Sequence, residues 1–310
     1  MSVQKKVPGA TTSDGPAISV FGGQNPQIFL AWKNASDNTV WWSAYDNGNW
    51  LQPPSQVQAS TSAGVAPVLT SAGPALGTYY DQQGDPFLIL AWQDESDQTI
   101  WCSRYNVETG GVWTAPVSVT ANGGEPSLST IISTGYTIIT WKGGADNTVR
   151  WATSSPDSEF GEWTSGQIQT AQTSSRPTVF IGDGGGGTLA WKGVADKTIW
   201  ASSLSSDLAW LPQARVKDGA RTTVGPAVGA SDLGFFLAWK GESDNAIWWS
   251  GSADGANWGP QNQIPLVATK AEPAMAGDSK HGGPIYLAWK GESDGAIWWS
   301  ASADGVTWST

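Results

Sequence analysis

The feature that most constrains this chain is an internal repeat with a period of about 50 residues. The segment Leu-Ala-Trp-Lys, or a close variant of it, occurs six times, with its tryptophan at Trp32, Trp92, Trp141, Trp191, Trp239 and Trp289. These tryptophans are 60, 49, 50, 48 and 50 residues apart, so the long first interval predicts an insertion, which we place between Pro67 and Phe87. A repeat of this length indicates a modular fold in which each copy packs against its neighbours.

Each copy contains the signals of four short β-strands. A proline opens an apolar run, at positions 16, 67, 126, 177, 226 and 273. The Leu-Ala-Trp run follows, then a polar turn, a tryptophan-rich run and a closing tryptophan at 50, 113, 163, 210, 258 or 308. Short β-branched and aromatic runs bounded by Gly, Asn, Asp and Pro are typical of antiparallel strands. The sequence therefore predicts an all-β, six-bladed β-propeller with four antiparallel strands per blade, and a single domain over residues 1–310.

The two ends of the chain predict how the ring closes. Val7 stands nine residues before Pro16, as Ile264 does before Pro273, so residues 3–8 resemble a fourth strand. The last copy stops at Trp308-Ser309-Thr310, where its own fourth strand would begin. We therefore expect the N-terminal strand to complete the last blade and leave no unpaired sheet edge at the seam.

Composition limits the partners. The net charge of -11 argues against nucleic acid and anionic membranes, which attract clustered Lys and Arg. Cys102 is the single cysteine, so no intramolecular disulfide can form. The N-terminus lacks the apolar segment of a signal peptide, and no run is long enough for a membrane-spanning helix. We expect a cytoplasmic protein without membrane insertion, with release by a non-classical route as the alternative.

The 21 tryptophans fall into four columns of the repeat. The Leu-Ala-Trp column and the closing column are filled in every copy, as packing between blades requires. The two columns of the third strand vary: Arg150 replaces the first in one copy, and Cys102 and Ala201 replace the second. A filled core resists such changes of volume, so the first of these columns is a candidate for ligand contact.

A polar turn before the third strand carries an aspartate in all six copies, preceded by a lysine in all but the second, where Gln93 stands. An Asx-type turn is the favoured explanation of the aspartate, and a solvated hairpin charge explains the lysine without a ligand. These turns and the links that lead into each blade should emerge on one face, where an indole, a carboxylate and an ammonium could bind a sugar between blades. The candidate carbohydrate-binding residues are Trp41, Trp101, Trp200, Trp248, Trp298, Asp37, Asp97, Asp146, Asp196, Asp244, Asp294, Lys33, Lys142, Lys192, Lys240, Lys290, Arg150, Glu125, Arg176 and Glu272.

The recurring Leu-Ala-Trp-Lys-Gly, Ser-Asp-Asn-x-Ile-Trp-Trp-Ser and Asp-Gly-x-x-Trp segments resemble the blades of fungal and bacterial β-propeller lectins of the tectonin-like and Psathyrella type. The resemblance implies a multivalent lectin and hemagglutinin without catalysis, which binds terminal sugars of the N-acetylglucosamine or fucose type on glycoproteins or glycolipids. It implies no cofactor, and the absence of an Asp-x-Asp-x-Asp-Gly run predicts no metal. A homo-oligomer is left open.

Two alternatives compete with the lectin. The first is a propeller glycosidase or sialidase-like enzyme, which needs a unique pair of carboxylates and, for sialic acid, a cluster of arginines. Six repeated aspartates and five scattered arginines speak against it, and the lone His281 is interpreted as a loop residue. The second is a protein-interaction scaffold, although the Gly-His and Trp-Asp pairs of WD repeats are absent.

Overall fold

A computed structural model describes residues 4–22, 26–46, 48–205, 207, 209–216 and 219–309. The described residues form six blade sheets that follow one another around a closed ring, and one separate two-stranded hairpin. Every blade sheet is antiparallel and has four strand positions from the axis to the rim. The prediction of an all-β, six-bladed propeller is confirmed. No helix within the described part of the chain is long and apolar enough to cross a membrane.

The strands fill the blades in chain order, apart from the first. That strand is β1 (Lys5–Thr11). Blade 1 contains β2 (Ala17–Phe21), β3 (Gln27–Lys33), β4 (Val40–Asp46), β5 (Asn49–Trp50) and β6 (Ser55–Gln56). The hairpin β7 (Gln58–Thr61) and β8 (Gly64–Pro67) follows. Blade 2 contains β9 (Ala75–Tyr80), β10 (Pro86–Gln93), β11 (Ile100–Asn106) and β12 (Val117–Thr120).

Blade 3 contains β13 (Ser127–Thr130), β14 (Thr137–Lys142), β15 (Thr148–Ser154) and β16 (Thr164–Gln172), with a short 3-10 helix at Pro156–Ser158. Blade 4 contains β17 (Thr178–Ile181), β18 (Gly187–Lys192), β19 (Ile199–Leu204) and β20 (Ala214–Arg215). Blade 5 contains β21 (Ala227–Ser231), β22 (Gly234–Lys240), β23 (Ala246–Ser252) and β24 (Asn262–Ala268). Blade 6 contains β25 (Ala274–Ala276), β26 (Ile285–Lys290) and β27 (Ala296–Ser302).

The ring closes through the N-terminus, as predicted. Strand β1 pairs antiparallel with β27, with Lys5 opposite Trp299 and Lys6 opposite Trp298. It therefore occupies the outer position of blade 6. This pairing joins the two ends of the chain, so the seam is held by backbone hydrogen bonds as well as by packing.

The core lies between the blades. In every copy, the Leu-Ala-Trp indole is at most 3% exposed, because it packs between its own sheet and that of its neighbour. One cluster joins Trp32 of blade 1 to Ile297 and Trp299 of blade 6, and the other seams repeat this arrangement. The packing role predicted for this column is confirmed by its burial.

The prediction for the insertion is wrong. The extra residues form the hairpin β7–β8, which lies before blade 2 rather than between Pro67 and Phe87. Pro74, not Pro67, opens blade 2, directly before β9. The link that leads into blade 2 is therefore Thr70–Gly73, and the Gly64–Ala66 segment belongs to the hairpin. The sequence does not distinguish Pro67 from Pro74 as the start of blade 2, because a short apolar run follows each of them.

Candidate active site

Five of the six links into the innermost strands share one construction. The first residue of each is a threonine whose backbone N–H donates to the polar turn of the preceding blade. Its hydroxyl then donates to the carbonyl two residues ahead, over 2.8 to 3.2 Å. The five threonines are Thr12, Thr70, Thr173, Thr222 and Thr269. This internal hydrogen bond makes each of the five links a compact turn beside the axis.

The link of blade 3 is different. Gly123 takes the place of the threonine, because its N–H donates to the carbonyl of Gln98 in the preceding polar turn. Only Gly124 and Glu125 separate it from Pro126, so this link is one residue shorter than the others. A Cβ on Gly123 would lie 2.4 Å from Cδ1 of Ile100, so this close approach requires glycine.

The residue directly before each proline faces the mouth of the central channel. In ring order these residues are Gly15, Gly73, Glu125, Arg176, Gly225 and Glu272. The three glycines make room for the three charged side chains. A Cβ on Gly15 would lie 3.1 Å from Cβ of Glu272 and 3.3 Å from Nη2 of Arg176, and one on Gly73 would lie 3.4 Å from Nη1 of Arg176.

Arg176 crosses the mouth of the channel. It starts from blade 4, is 9% exposed, and its Nη1 lies 3.5 Å from the carbonyl oxygen of Pro74 in blade 2. No carboxylate of the described residues forms an ion pair with it within 4.0 Å. A nearly buried guanidinium with few protein partners is available to a ligand at the mouth.

Two glutamates flank this guanidinium from opposite blades of the ring. Glu125 belongs to blade 3 and Glu272 to blade 6, and both are half-buried. Oε1 of Glu272 accepts a hydrogen bond of 3.4 Å from the N–H of Gly225. A third acid at the mouth, Asp14, lies 3.2 Å from the ammonium of Lys33, so its charge is paired.

The two glutamates differ in environment. Burial raises the pKa of Glu125 above its ordinary value, and the carboxylates of Glu272 and Asp14 raise it further, while Arg176 and Lys142 oppose the rise. Glu125 therefore holds its proton to a higher pH than an exposed glutamate does. A carboxyl group with a raised pKa opposite a second carboxyl group is an arrangement that acid–base chemistry can use.

A cleft of about 640 Å³ leads away from Glu125 and Arg176. Its walls are the short link of blade 3, the polar turn of the same blade at Lys142, Gly144 and Ala145, and the link of blade 4. Gln93 and Gln98 of blade 2 complete it. The channel below the mouth is much narrower, with a volume of about 90 Å³, so the cleft is the part of the site that can hold a ligand.

The opposite end of the channel carries a separate polar cluster. Asp278 is 1% exposed and lies 2.8 Å from Nδ1 of His281, so the residue interpreted as a lone loop histidine has a carboxylate partner. Asp183 of blade 4 pairs with Lys280 of blade 6 at 3.2 Å. Within the described residues no hydroxyl or thiol hydrogen-bonds to His281, so the pair activates no nucleophile there.

The repeated aspartates and lysines have structural partners. In every blade the turn aspartate accepts a backbone N–H two residues ahead, which is an Asx-type turn; these residues are Asp37, Asp97, Asp146, Asp196, Asp244 and Asp294. The lysine ammoniums donate to neighbouring carbonyl, hydroxyl or amide oxygens, at Lys33, Lys142, Lys192, Lys240 and Lys290. These contacts fix the turns and the links.

The first tryptophan column of the third strand is half-buried, and each of these residues lies opposite the buried indole of the preceding strand. Lys6 covers the ring of Trp298 at 5.0 Å, and the Arg215 guanidinium covers that of Trp200 at 5.3 Å. In blade 3, Arg150 pairs with Asp146 at 2.7 Å. The structure brings Glu125, Arg176 and Glu272 together at the axis, with Lys142 in the adjoining cleft, and leaves the other predicted site residues around the ring.

The fold is shared with several solved propeller structures. No family model and no curated protein matches this chain. Among solved structures, an α-L-arabinanase of Penicillium chrysogenum with arabinobiose superposes with a TM-score of 0.67 at 14% identity, over 97% of both chains. An α-L-arabinofuranosidase of Fusarium graminearum gives 0.63 at 11%, over 96% of this chain and 99% of its own. A Hadza microbial sialidase gives 0.64 at 12%, over 93% of this chain but 65% of its own, which is less than two thirds.

These findings correct the functional interpretation. The six-bladed propeller that the resemblance implies is confirmed, but the predicted lectin without catalysis, and the statement that the chain is not an enzyme, are wrong. Hemagglutination stays a prediction. The structural neighbours are named as an arabinanase, an arabinofuranosidase and a sialidase, not as lectins. The aspartates that had spoken against an enzyme recur in all six copies, whereas Glu125 and Glu272 do not belong to that repeated set.

Proposed function

We propose that this chain is a glycoside hydrolase whose reacting groups are Glu125 and Glu272 at the mouth of the central channel. The observation that carries the proposal is the pair of glutamates on opposite sides of the axis, with the pKa of Glu125 raised by burial and by the charge of Glu272. Glycoside hydrolases use such a pair to cleave a bond held between the two carboxyl groups. The names of the structural neighbours support the same class of reaction.

The two glutamates take different roles. Protonated Glu125 donates its proton to the oxygen of the leaving group, since burial and the nearby carboxylates favour its neutral form. Glu272 acts on the opposite face of the sugar, either on the anomeric carbon or on a water molecule. The N–H of Gly225 holds Oε1 of Glu272 at 3.4 Å and so limits its orientation.

Arg176 serves the site in two ways. Its charge opposes the mutual repulsion of the glutamates, which lets two acids and Asp14 share one small mouth. Its guanidinium can also donate to sugar hydroxyls, because the protein uses few of its donors. A single arginine at the mouth differs from the arginine cluster that sialic acid requires, so the proposed substrate is a neutral glycoside.

The test is a panel of chromogenic glycosides that includes an α-L-arabinofuranoside and a sialoside. The folded wild-type protein is expected to release the chromophore from a neutral member. Glu125→Gln and Glu272→Gln should each lower kcat by about 100-fold to 10,000-fold. Glu108→Gln is the matched control, since this glutamate lies in the exposed turn after β11.

The leaving group separates the two roles. For Glu125→Gln the loss should be smaller with a dinitrophenyl glycoside than with a natural disaccharide, because a good leaving group departs without a proton. For Glu272→Gln the loss should be similar with both. A folded wild-type protein that turns over no glycoside, or glutamine variants that match Glu108→Gln, would overturn the proposal.

A further inference from the structure

One blade of the ring departs from the repeat at several neighbouring positions. Blade 3 has the short Gly123–Pro126 link, and the residue that precedes it, Asn122, has a left-handed φ of 55°. The lysine of the repeat is replaced in blade 2 by Gln93, whose Nε2 donates to the carbonyl oxygen of Gly123 over 2.6 Å. All three features lie at the cleft that leads away from Glu125 and Arg176.

The departures explain why the cleft exists. In the other blades a threonine begins the link, and its hydroxyl donates a hydrogen bond to the carbonyl oxygen two residues ahead. Gly123 has no side chain to do this, and the missing residue shortens the wall beside Glu125. Gln93 holds the shortened link in place, which a lysine could do only with a longer and more flexible side chain.

We infer that this cleft binds the further units of a neutral oligosaccharide, so that the natural substrate is an oligosaccharide chain that extends from the axis between blades 3 and 4. The inference rests on the proposed function, because it takes Glu125 and Glu272 as the point of cleavage. The volume of about 640 Å³ lies within the range of sites that hold extended small molecules.

The residues that line the cleft determine which class of ligand it can bind. Beyond Glu125, Arg176 and Lys142, the polar side chains of the lining are the amides of Gln93, Gln98 and Asn122 and the hydroxyls of Ser174 and Ser175. Oε1 of Gln98 accepts from Gln93 and Oγ of Ser174 accepts from Lys192, while the donors of Gln98 and Ser174 have no side-chain or backbone acceptor among the described residues. Amides and hydroxyls both donate and accept, so they match sugar hydroxyls without requiring a charge on the ligand.

Three cations lie at the cleft. Arg176 is at the axis, beside both proposed reacting glutamates. Lys142 lies in the wall and donates to Oδ1 of Asn147 over 3.3 Å, and Lys192 donates to Oγ of Ser174 over 2.6 Å. The carboxyl group of Glu125 and the neutral amides and hydroxyls make up the other polar groups of the lining, which favours a neutral ligand over a chain of acidic sugars.

The repeat supplies a matched pair of variants. Ala145 lines the cleft in the polar turn of blade 3, and Ala195 occupies the same position of the turn in blade 4, before Asp196. Both alanines precede the turn aspartate directly. Ala145→Trp should fill the cleft, whereas Ala195→Trp places the same side chain in an equivalent turn outside it.

The assay is the dependence of kcat/KM on substrate length. With neutral oligosaccharides of the sugar that the panel identifies, from the disaccharide to the hexasaccharide, the wild type should gain about tenfold or more, since each 1.4 kcal/mol of added binding gives a factor of about ten. Ala145→Trp should lose this gain with length. Ala195→Trp should keep the wild-type gain and the wild-type activity on the small chromogenic glycoside.

Binding separates this inference from the proposed function. Glu272→Gln, measured by calorimetry, should bind the neutral hexasaccharide at least about tenfold more tightly than an oligogalacturonide, and Ala145→Trp should abolish that binding. Turnover without any gain from length, or preference for the acidic chain, would overturn the inference and leave the proposed function intact. If the neutral hexasaccharide binds, Ala145→Trp abolishes this binding and the wild type turns over no glycoside, the inference about the cleft stands and the proposed function is overturned.

Discussion

Gly225→Ala tests whether the glycines at the mouth of the channel exist to make room for the charged side chains. An added Cβ would lie 2.4 Å from the carbonyl oxygen of Arg176 and 3.3 Å from Cγ of Glu272. The first contact is to backbone, so the link of blade 4 would have to move. The second would press on a carboxylate that we place in the reaction.

The magnitude follows from two opposing effects. Overpacking of a filled site costs about 1–3 kcal/mol. Replacing glycine by alanine also restricts the unfolded chain, which returns about 0.4–1 kcal/mol. We therefore expect Gly225→Ala to lower the free energy of unfolding by about 1–2 kcal/mol.

Gly184→Ala is the control, because its Cβ would meet no atom within 4 Å. It should leave stability unchanged or raise it by about 0.4–1 kcal/mol, as expected for an unhindered substitution. Urea unfolding compares the two variants at neutral pH. Activity should fall about tenfold or more in Gly225→Ala, since displacement by a fraction of an ångström at reacting groups is costly, and stay unchanged in the control. Equal stability of both variants, or full activity of Gly225→Ala, would refute the reasoning.

Three further outcomes are expected. Leu266 is 87% exposed with φ 64°, at a bulge where β1 has Gly9 with φ 69°, so Leu266→Gly should raise unfolding free energy by about 0.5–1 kcal/mol in urea. Asp278 is buried, which alone would raise its pKa, but hydrogen bonds from His281, Lys280 and Gly22 hold the pKa below its usual range. Its stabilisation is therefore present above the ordinary aspartate pKa and lost as pH falls through the folded value; Asp278→Asn should cost about 1.5–3 kcal/mol at pH 7 and flatten the acid limb of stability against pH. Glu125 has the opposite sign: its raised pKa favours the folded state below the ordinary glutamate pKa, and this contribution is lost as pH rises through the folded value. Glu125→Gln should thus be more stable than the wild type at pH 7, and the difference should vanish in acid, as measured by thermal unfolding across pH.

The sequence predicted the parts of the fold that depend on repetition. Six Leu-Ala-Trp runs and the spacing of Val7 from Pro16 were enough for the blades and for the closing strand, because each copy must bury the same indole. The position of the insertion was not predictable from prolines alone. Pro67 and Pro74 both precede apolar residues, and only strand pairing shows which one opens blade 2.

The sequence predicted which residues belong to the candidate site, but not that they lie together at the axis. Glu125, Arg176 and Glu272 were named from the links, but as parts of separate notches between blades. The missing signal was comparison of the links themselves, where the threonine is absent from one copy and the length differs by one residue. That equivalence became visible through the hydrogen bond from the N–H of Gly123 to Gln98, which aligns it with the threonines of the other links.

The geometry of a ring explains why we place the proposed reaction at the axis rather than at the repeated residues. Equivalent side chains in a closed ring face the same way in each blade, so those away from the axis never meet, and each has the same neighbours. The proposed glycoside hydrolysis uses two carboxyl groups in different protonation states around one bond. Only residues at the axis converge from different blades, and only where the copies differ can they be unlike. Glu125, Arg176 and Glu272 satisfy both conditions, and the glycines at the equivalent positions of the other three blades are what allow them to fit.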